Sequence, residues 1–523
     1  MPDPNRERLA RSGALSLGGS AFAALAALAL TALVSNSYGP GGTGIFFQGV
    51  AVFTVVTQVL RLGTNSALIR FISARRAETG LTDAWRITLV ALGPVLVLSG
   101  IVAAAIAWGA VPLAGFLAPA PDAGDLADLL VALAPFVVIG SVLGVLQTIA
   151  RLVRGVGTFT VLQSVALPAS RLVVVLAVIV LAGTAHGADT AFLGWLAVQA
   201  PWLVVTAIVV AAPLIADRRR ARARVTPTST REFWAFSAPR AVGASLETAL
   251  DWSDVLVVAA LTSPREAGIY AVVTRAVRAG QIIDRAMRIA VSPRISHLLA
   301  LGDREAATRL HTAVTRGLVL LSWPFYLALA LLGPAVLSLF GPGFESGQAA
   351  LAILAGAMMI SSASGMLQSV LLQGGRSSWQ MYNKAAVLGV NIGLSLLLVP
   401  VLGITGAAVS WLACLILDTA LAAWQVHRLM GVRLEPRALL LPGLVPLVVF
   451  GIGCTVIRIV AGDSLAGLLV GLPLLCGVYL VVIRLLRSRL GVSLALFRRS
   501  PGRAATDEQP QGASQPPAAG GER

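Results

Sequence analysis

The sequence predicts an all-α integral membrane protein with fourteen transmembrane helices: two parallel six-helix bundles around a central cleft, two further C-terminal helices, and both termini inside. Three observations lead there. The 523 residues are 57% hydrophobic and only 12% charged, against about 25% charged in a soluble globular chain. Fourteen apolar runs have the length of roughly 20 residues that a helix needs to cross a bilayer. The polar segments between them alternate between arginine-rich and arginine-poor, as the two sides of a membrane require. Because the runs lack the alternating segments of about ten residues that build a transmembrane barrel, helices are the spanning structure that remains.

In chain order the first six runs cover 13–36, 45–69, 85–110, 126–150, 159–183 and 190–215. The next six cover 234–261, 267–291, 314–340, 349–373, 380–400 and 404–427, and the last two 437–460 and 464–486. One side collects Arg6, Arg8 and Arg11, then Arg70, Arg75 and Arg76, Arg151 and Arg154, and the cluster Arg218, Arg219, Arg220, Arg222 and Arg224. Arg294, Arg304, Arg309, Arg376, Arg428, Arg433, Arg437, Arg487 and Arg489 continue that side, and the other holds Arg265. A dropped or invented span would reverse the sign of every later loop, so the alternation supports the count and places both termini in the cytoplasm. The first run is too long for the core of a signal peptide. The chain then divides into a bundle at 1–216, a basic cytoplasmic linker at 217–232, a second bundle at 233–430, helices thirteen and fourteen at 431–490, and a tail at 500–523. The tail is rich in Pro, Gly, Gln and Ala and is expected to be disordered.

Composition excludes several function classes. Of the basic residues behind the net charge of +16, Lys384 is the single lysine, and no glycine-rich turn precedes it, so the chain has no Walker phosphate loop. Cys414, Cys454 and Cys476 and the four histidines are scattered without ligand spacing, so neither a metal site nor a disulfide framework nor a cofactor is expected. The arginines lie between apolar runs instead of lining one polar domain, which argues for topology over nucleic acid. External loops are short, the longest near 111–125, leaving no room for the outer domain of a membrane glycosyltransferase or polymerase. An enzyme of that kind is therefore not expected.

Shifting the sequence by 224 residues lays Gly39-Pro40-Gly41-Gly42-Thr43-Gly44-Ile45-Phe46 on Ser263-Pro264-Arg265-Glu266-Ala267-Gly268-Ile269-Tyr270. Each segment is the turn after the first span of a half, so the halves repeat in the same orientation about an axis normal to the membrane. These two segments, the first with Tyr38 before it and the second preceded by Asp254-Val255-Leu256-Val257-Val258, together with Pro293-Arg294-Ile295-Ser296, Phe340-Gly341-Pro342-Gly343-Phe344 and Pro400-Val401-Leu402-Gly403-Ile404-Thr405-Gly406-Ala407-Ala408, resemble the polysaccharide flippases of the multidrug, oligosaccharidyl-lipid and polysaccharide exporter superfamily. The resemblance covers roughly residues 10 to 430. It implies a plasma-membrane translocase that moves polyprenyl-diphosphate-linked glycans to the outer leaflet, with membrane lipids, a polysaccharide polymerase and glycosyltransferases as partners. The chain departs from the family pattern at Ser35-Asn36-Ser37-Tyr38 and Leu60-Arg61-Leu62-Gly63, where a basic and an acidic residue are frequent, which bears on the glycan.

Charges at membrane depth mark the candidate site, since they face a cavity or a partner. At 100° per residue Arg240, Glu247, Asp251 and Asp254 of run seven share an arc of about 60°. Run eight presents Arg275, Arg278, Arg285 and Arg288 on one broader face. Residues equally far from the turn near Pro264 share a depth, which levels Asp251 or Asp254 with Arg275 and Glu247 with Arg278. Four arginines exceed the three acids, and the surplus can hold a diphosphate by bidentate contacts. Under the repeat Arg285 falls on Arg61 of run two, so Arg61, Arg240, Arg275, Arg278 and Arg285 are the candidate substrate-binding residues. Glu247, Asp251 and Asp254 fall on Ala23, Ala27 and Leu30, so packing does not demand acids there, and they are the candidate carriers of a coupling proton or Na⁺. Arg171, Gln147, Gln163, Gln199, Gln368 and Asp418 read as interhelical hydrogen-bonding groups. The rival readings are a lipid II flippase and an ion-coupled drug exporter of the same superfamily. An apolar, aromatic cavity with isolated carboxylates would suit the exporter.

Overall fold

The computed structural model describes residues 4–79, 84–117, 123–183, 187–220, 229–373, 377–431 and 435–490. Half of the linker (221–228), including Arg222 and Arg224, together with Arg376, Arg433 and the tail, lies outside them. Among the described residues the chain is helical with no strand. The helices run α1 Pro4–Leu60, α2 Thr64–Thr79, α3 Ala84–Trp108, α4 Ala110–Leu117, α5 Ala123–Arg154, α6 Val156–Phe159, α7 Leu167–Ala182, α8 Ala188–Ala197, α9 Gln199–Arg220 and α10 Thr230–Leu261. There follow α11 Pro264–Ala279, α12 Gln281–Ala300, α13 Arg304–Leu331, α14 Gly333–Leu337, α15 Gln348–Ala363, α16 Leu367–Gln373, α17 Ser377–Leu402, α18 Ile404–Met430, α19 Leu440–Ala461 and α20 Leu472–Leu490.

Eleven helical segments among the described residues are long and apolar enough to cross a membrane, and the protein is a multi-pass membrane protein. One of the eleven, Leu15–Leu60, joins the first two predicted runs, because the expected external turn is compressed to a single break at Gly39 (φ 63°, ψ −171°) followed by Pro40. A positive φ favours glycine, and proline cannot donate to the preceding turn. Helix α10 carries four charges, Arg240, Glu247, Asp251 and Asp254, and predicted run eight is split into α11 and α12, so neither run counts among the eleven. Gly280 marks that split, and a Cβ there would sit 2.6 Å from the Tyr326 hydroxyl.

Local residue types close several helix ends. Ser263 Oγ accepts from the Glu266 amide at 3.2 Å, with Pro264 at the first helical position of α11. Asp303 caps α13 through the Ala306 amide at 2.9 Å, and α18 ends at Gly431 in the left-handed region (φ 67°). One buried cluster gathers Phe46, Phe53, Leu130, Phe192 and Trp195 from the first half. Another gathers Val258, Tyr270, Tyr326, Phe344 and Leu351 from the second. A third joins α19 and α20 to α13 through Leu320, Phe450 and Tyr479, whose hydroxyl donates to the Leu320 carbonyl at 2.7 Å. The second arm of α1 and α11 meet through glycine on both sides: Gly44 lies against the Pro264 carbonyl and Gly268 against the Pro40 carbonyl.

Candidate functional site

A cavity of about 400 Å³ is lined by both arms of α1, by α5, α7, α8 and α9, and by one side chain each from α10 and α11. Three arginines reach it: Arg61, Arg171 and Arg275. No aspartate or glutamate among the described residues lines it.

Each arginine is held by a different local device. Arg61 follows the last residue of α1, in a tight turn where Leu62 (φ 51°) and Gly63 (φ 68°) are both left-handed. Left-handed leucine is costly, and the turn is held by Ser237 of α10, whose hydroxyl donates to the Leu62 carbonyl at 2.7 Å, and by Thr64, whose hydroxyl donates to the Arg61 carbonyl at 2.7 Å. The guanidinium lies over Gly144 of α5, where a Cβ would collide with it. Arg61 Nη1 reaches Gln58 at 3.5 Å, and its buried Nε has no partner among the described residues. Arg171 lies 3.9 Å from the centre of the Trp195 ring, and its buried Nε likewise has no partner. Arg275 sits between Phe47 and Trp252, 4.3 and 4.5 Å from their ring centres.

Aromatic faces attract guanidinium groups while leaving their N–H edges available. The result is a cationic pocket without an internal counter-charge. Such a pocket is costly when empty of anions and suits a phosphate or diphosphate, which takes N–H donors in pairs. Gln147, Gln163 and Gln199 also line it, and the Gln199 amide nitrogen is buried without a partner among the described residues, so hydroxyl-bearing groups find donors there too.

The structure thus brings together Arg61 and Arg275 of the five arginines predicted from sequence. Arg278 is elsewhere, in an ion pair with Asp251 at 3.5 Å and donating to the Asp251 backbone carbonyl. This corrects the predicted depth pairing of Arg278 with Glu247. Side chains lean toward the N-terminus of their own helix, so Arg278 reaches back toward the turn and meets the acid one helical turn nearer to it. Arg240 is exposed and lies 3.8 Å from the Phe236 ring centre. Arg285 is exposed on α12, past the break at Gly280, and does not line the cavity that holds Arg61.

The acidic stripe also divides. Glu247 and Asp251 are exposed, whereas Asp254 is buried and accepts from the Tyr270 hydroxyl at 3.4 Å, its other oxygen having no partner among the described residues. Asp251, Asp254 and Arg278 line a separate space of about 20 Å³ with Trp411, which is room for about one water or small ion. Arg171, read from sequence as a hydrogen-bonding group, is a cavity residue; a lone arginine inside an apolar run, three residues after Pro168, was the available signal. The single lysine pairs with Asp418 at 2.8 Å, and Gln368 donates to the same carboxylate oxygen at 3.0 Å.

A family profile described as "Polysaccharide biosynthesis protein" matches residues 9–299, just over half the chain. No curated protein sequence matches significantly. Among solved structures, the lipid II flippase MurJ in an inward closed conformation superposes with a TM-score of 0.71 at 12% identity, over 91% of this chain and 99% of that one. A multidrug resistance MATE family transporter of the MOP superfamily superposes in its inward-facing conformation with a TM-score of 0.60 at 15% identity, over 79% of this chain and 96% of that one. An outward-facing conformation gives 0.55 at 16% identity, over 81% and 95%. At these identities the likeness is one of fold.

Proposed function

We propose that this chain, which belongs to the polysaccharide biosynthesis protein family, is a flippase that carries a polyprenyl-diphosphate-linked oligosaccharide from the cytoplasmic to the outer leaflet for cell-surface polysaccharide synthesis. The observation that carries this reading is the acid-free cavity with Arg61, Arg171 and Arg275. The arginines take the diphosphate, the aromatic and amide side chains around them take the first sugars, and the polyprenyl tail stays in lipid. No bond is made or broken; the cavity opens alternately to each side.

The topology that goes with this reading has fourteen spans and both termini in the cytoplasm. The two arms of α1 count as two spans, and α10 and the α11–α12 pair as one each. The 224-residue repeat makes two six-helix bundles of 1–216 and 233–430, with α19 and α20 outside them. Coupling to a proton or Na⁺ falls to Asp254, the buried acid of the stripe, with Arg278 and Asp251 as its neighbours. Burial with one oxygen unpaired makes Asp254 the carboxylate that gains most from a bound cation.

A cationic-drug exporter fits the cavity poorly, since three guanidinium groups repel the cargo and no carboxylate among the described residues lines the pocket to attract it. A lipid II flippase, whose cargo shares the diphosphate, differs in the sugars alone. Reconstitution into liposomes with fluorescent polyprenyl-diphosphate sugars tests the proposal. Wild-type protein should move the label across the bilayer, and Arg61→Ala and Arg275→Ala should not. Equal movement by all three proteins refutes it.

A further inference from the structure

A second cavity, of about 450 Å³, opens between α12, α13 and the segment that leads into α19. One stripe of α13 lines it with Ala306, Arg309, Leu310, Ala313 and Arg316, a spacing that keeps all five on one helical face. The alanines hollow the face out, and the two arginines stand seven residues, about 10 Å, apart along the axis. Arg294 and Leu298 of α12 also line the cavity. The third wall is Glu435, which accepts from the Thr312 hydroxyl at 3.4 Å. Arg316 Nε donates to the Ala438 carbonyl at 3.1 Å, fixing the side chain against that wall. Arg309 pairs with exposed Glu305 at 2.6 Å on the rim.

Depth selects the ligand. From Gly317 to Leu331 α13 carries no charge, so Arg316 stands where the hydrocarbon begins and Arg309 about 10 Å farther out. The polar layer of one leaflet is about 5–7 Å thick, so the two arginines bracket it, over a floor of Leu298, Leu310 and the two alanines. We infer that this cavity binds one anionic phospholipid, its phosphate held between Arg309 and Arg316 and its acyl stem lying along Leu310. Guanidinium groups match phosphate geometry, and basic pockets between transmembrane helices select anionic headgroups. The site shares no lining residue with the arginine cavity and does not depend on what that cavity carries.

Native mass spectrometry of the full chain, released from detergent containing phosphatidylglycerol or phosphatidylcholine of identical acyl chains, reads the site directly. One phosphatidylglycerol should be retained at least about tenfold more tightly than phosphatidylcholine. The Arg309→Gln/Arg316→Gln protein should lose that preference. Ala313→Phe, which fills the cavity and keeps every charge, should lose it as well, and serves if the double variant does not fold. Inorganic phosphate at millimolar concentration should not displace the lipid. Equal retention of the two lipids by the wild type, an unchanged preference in Ala313→Phe, or displacement by phosphate alone overturns the proposal, the last by showing that the site takes a free anion.

Discussion

Gly44 and Gly268, 224 positions apart in the chain, face each other where α1 crosses α11, each lying against the carbonyl of the proline that opens the other's helix segment. The contact is reciprocal: Pro264 covers Gly44, and Pro40 covers Gly268. It is what a two-fold repeat produces on its own axis, because each side sees the other's equivalent surface. The glycines let the two backbones come together, as small residues do between membrane helices.

A methyl group at either position would have to push the helices apart. Gly268→Ala is expected to loosen the contact, slow flipping several-fold and raise the labelling of a cysteine placed at Val50, in the cavity lining, by a membrane-impermeant maleimide. The background needs serine at Cys414, Cys454 and Cys476. Unchanged labelling and unchanged transport would leave the contact without a role.

Removal of a charged donor to a bound phosphate costs about 1.5–3 kcal/mol, or roughly 10- to 150-fold in affinity. Arg61→Ala, Arg171→Ala and Arg275→Ala should each weaken binding of a short-chain diphosphate glycolipid to that extent. Quenching of Trp195 and Trp252, which stand against two of the three arginines, gives the readout. Lysine at the same positions keeps the charge and loses the fork, so its partial recovery measures how much of the affinity is geometric.

Gly144 makes a separate test of the same pocket, because a methyl there collides with the Arg61 guanidinium without touching any charge. Gly144→Ala should lower substrate affinity while helix content and thermal unfolding stay near wild type. An effect smaller than about twofold would mean that Arg61 can relocate freely.

Asp254→Asn keeps the size and hydrogen-bonding capacity of the side chain and removes its charge. Transport driven by an imposed proton or Na⁺ gradient should lose its dependence on that gradient, whereas movement down a substrate gradient should continue. Asp251→Asn, at an exposed acid already paired with Arg278, should have the smaller effect. The reverse order would move the coupling role to Asp251.

Lys384 and Asp418 form a largely buried pair, and removing one member strands the other charge. Lys384→Met should cost about 3–5 kcal/mol of stability, and Lys384→Met/Asp418→Leu should recover most of it. Unfolding temperatures in detergent compare the two.

Much of this architecture is written in periodicities that a linear reading can detect. The apolar runs mark the helices, and the Pro40/Pro264 and Gly44/Gly268 register announces a repeat whose members meet. Arg61 and Arg275 were legible as charges that apolar surroundings could not explain. What the sequence concealed is direction. Arg171 resembled any polar residue in a span until Trp195 from α8 stacked on it, a contact between residues 24 positions apart in sequence but on different helices. Arg285 aligned with Arg61 but lies beyond the break at Gly280, exposed and outside the cavity lining, and a hydropathy profile passes over that break. The pairing of Arg278 with Asp251 instead of Glu247 follows from the tilt of side chains along a helix, which equal counting from a turn ignores.

The sharp break at Gly39 carries one more implication. Ala27 and Leu30 before it and Phe47 and Val50 after it line the same cavity, so the chain folds back on itself within a single residue instead of through a loop. A return path with no slack behaves as a rigid elbow: displacement of the arm that ends at Leu60, just before Arg61, is transmitted to the arm bearing Ala23 unless Gly39 itself rotates. The torsion angles of that one glycine therefore set how independently two walls of the chamber can travel.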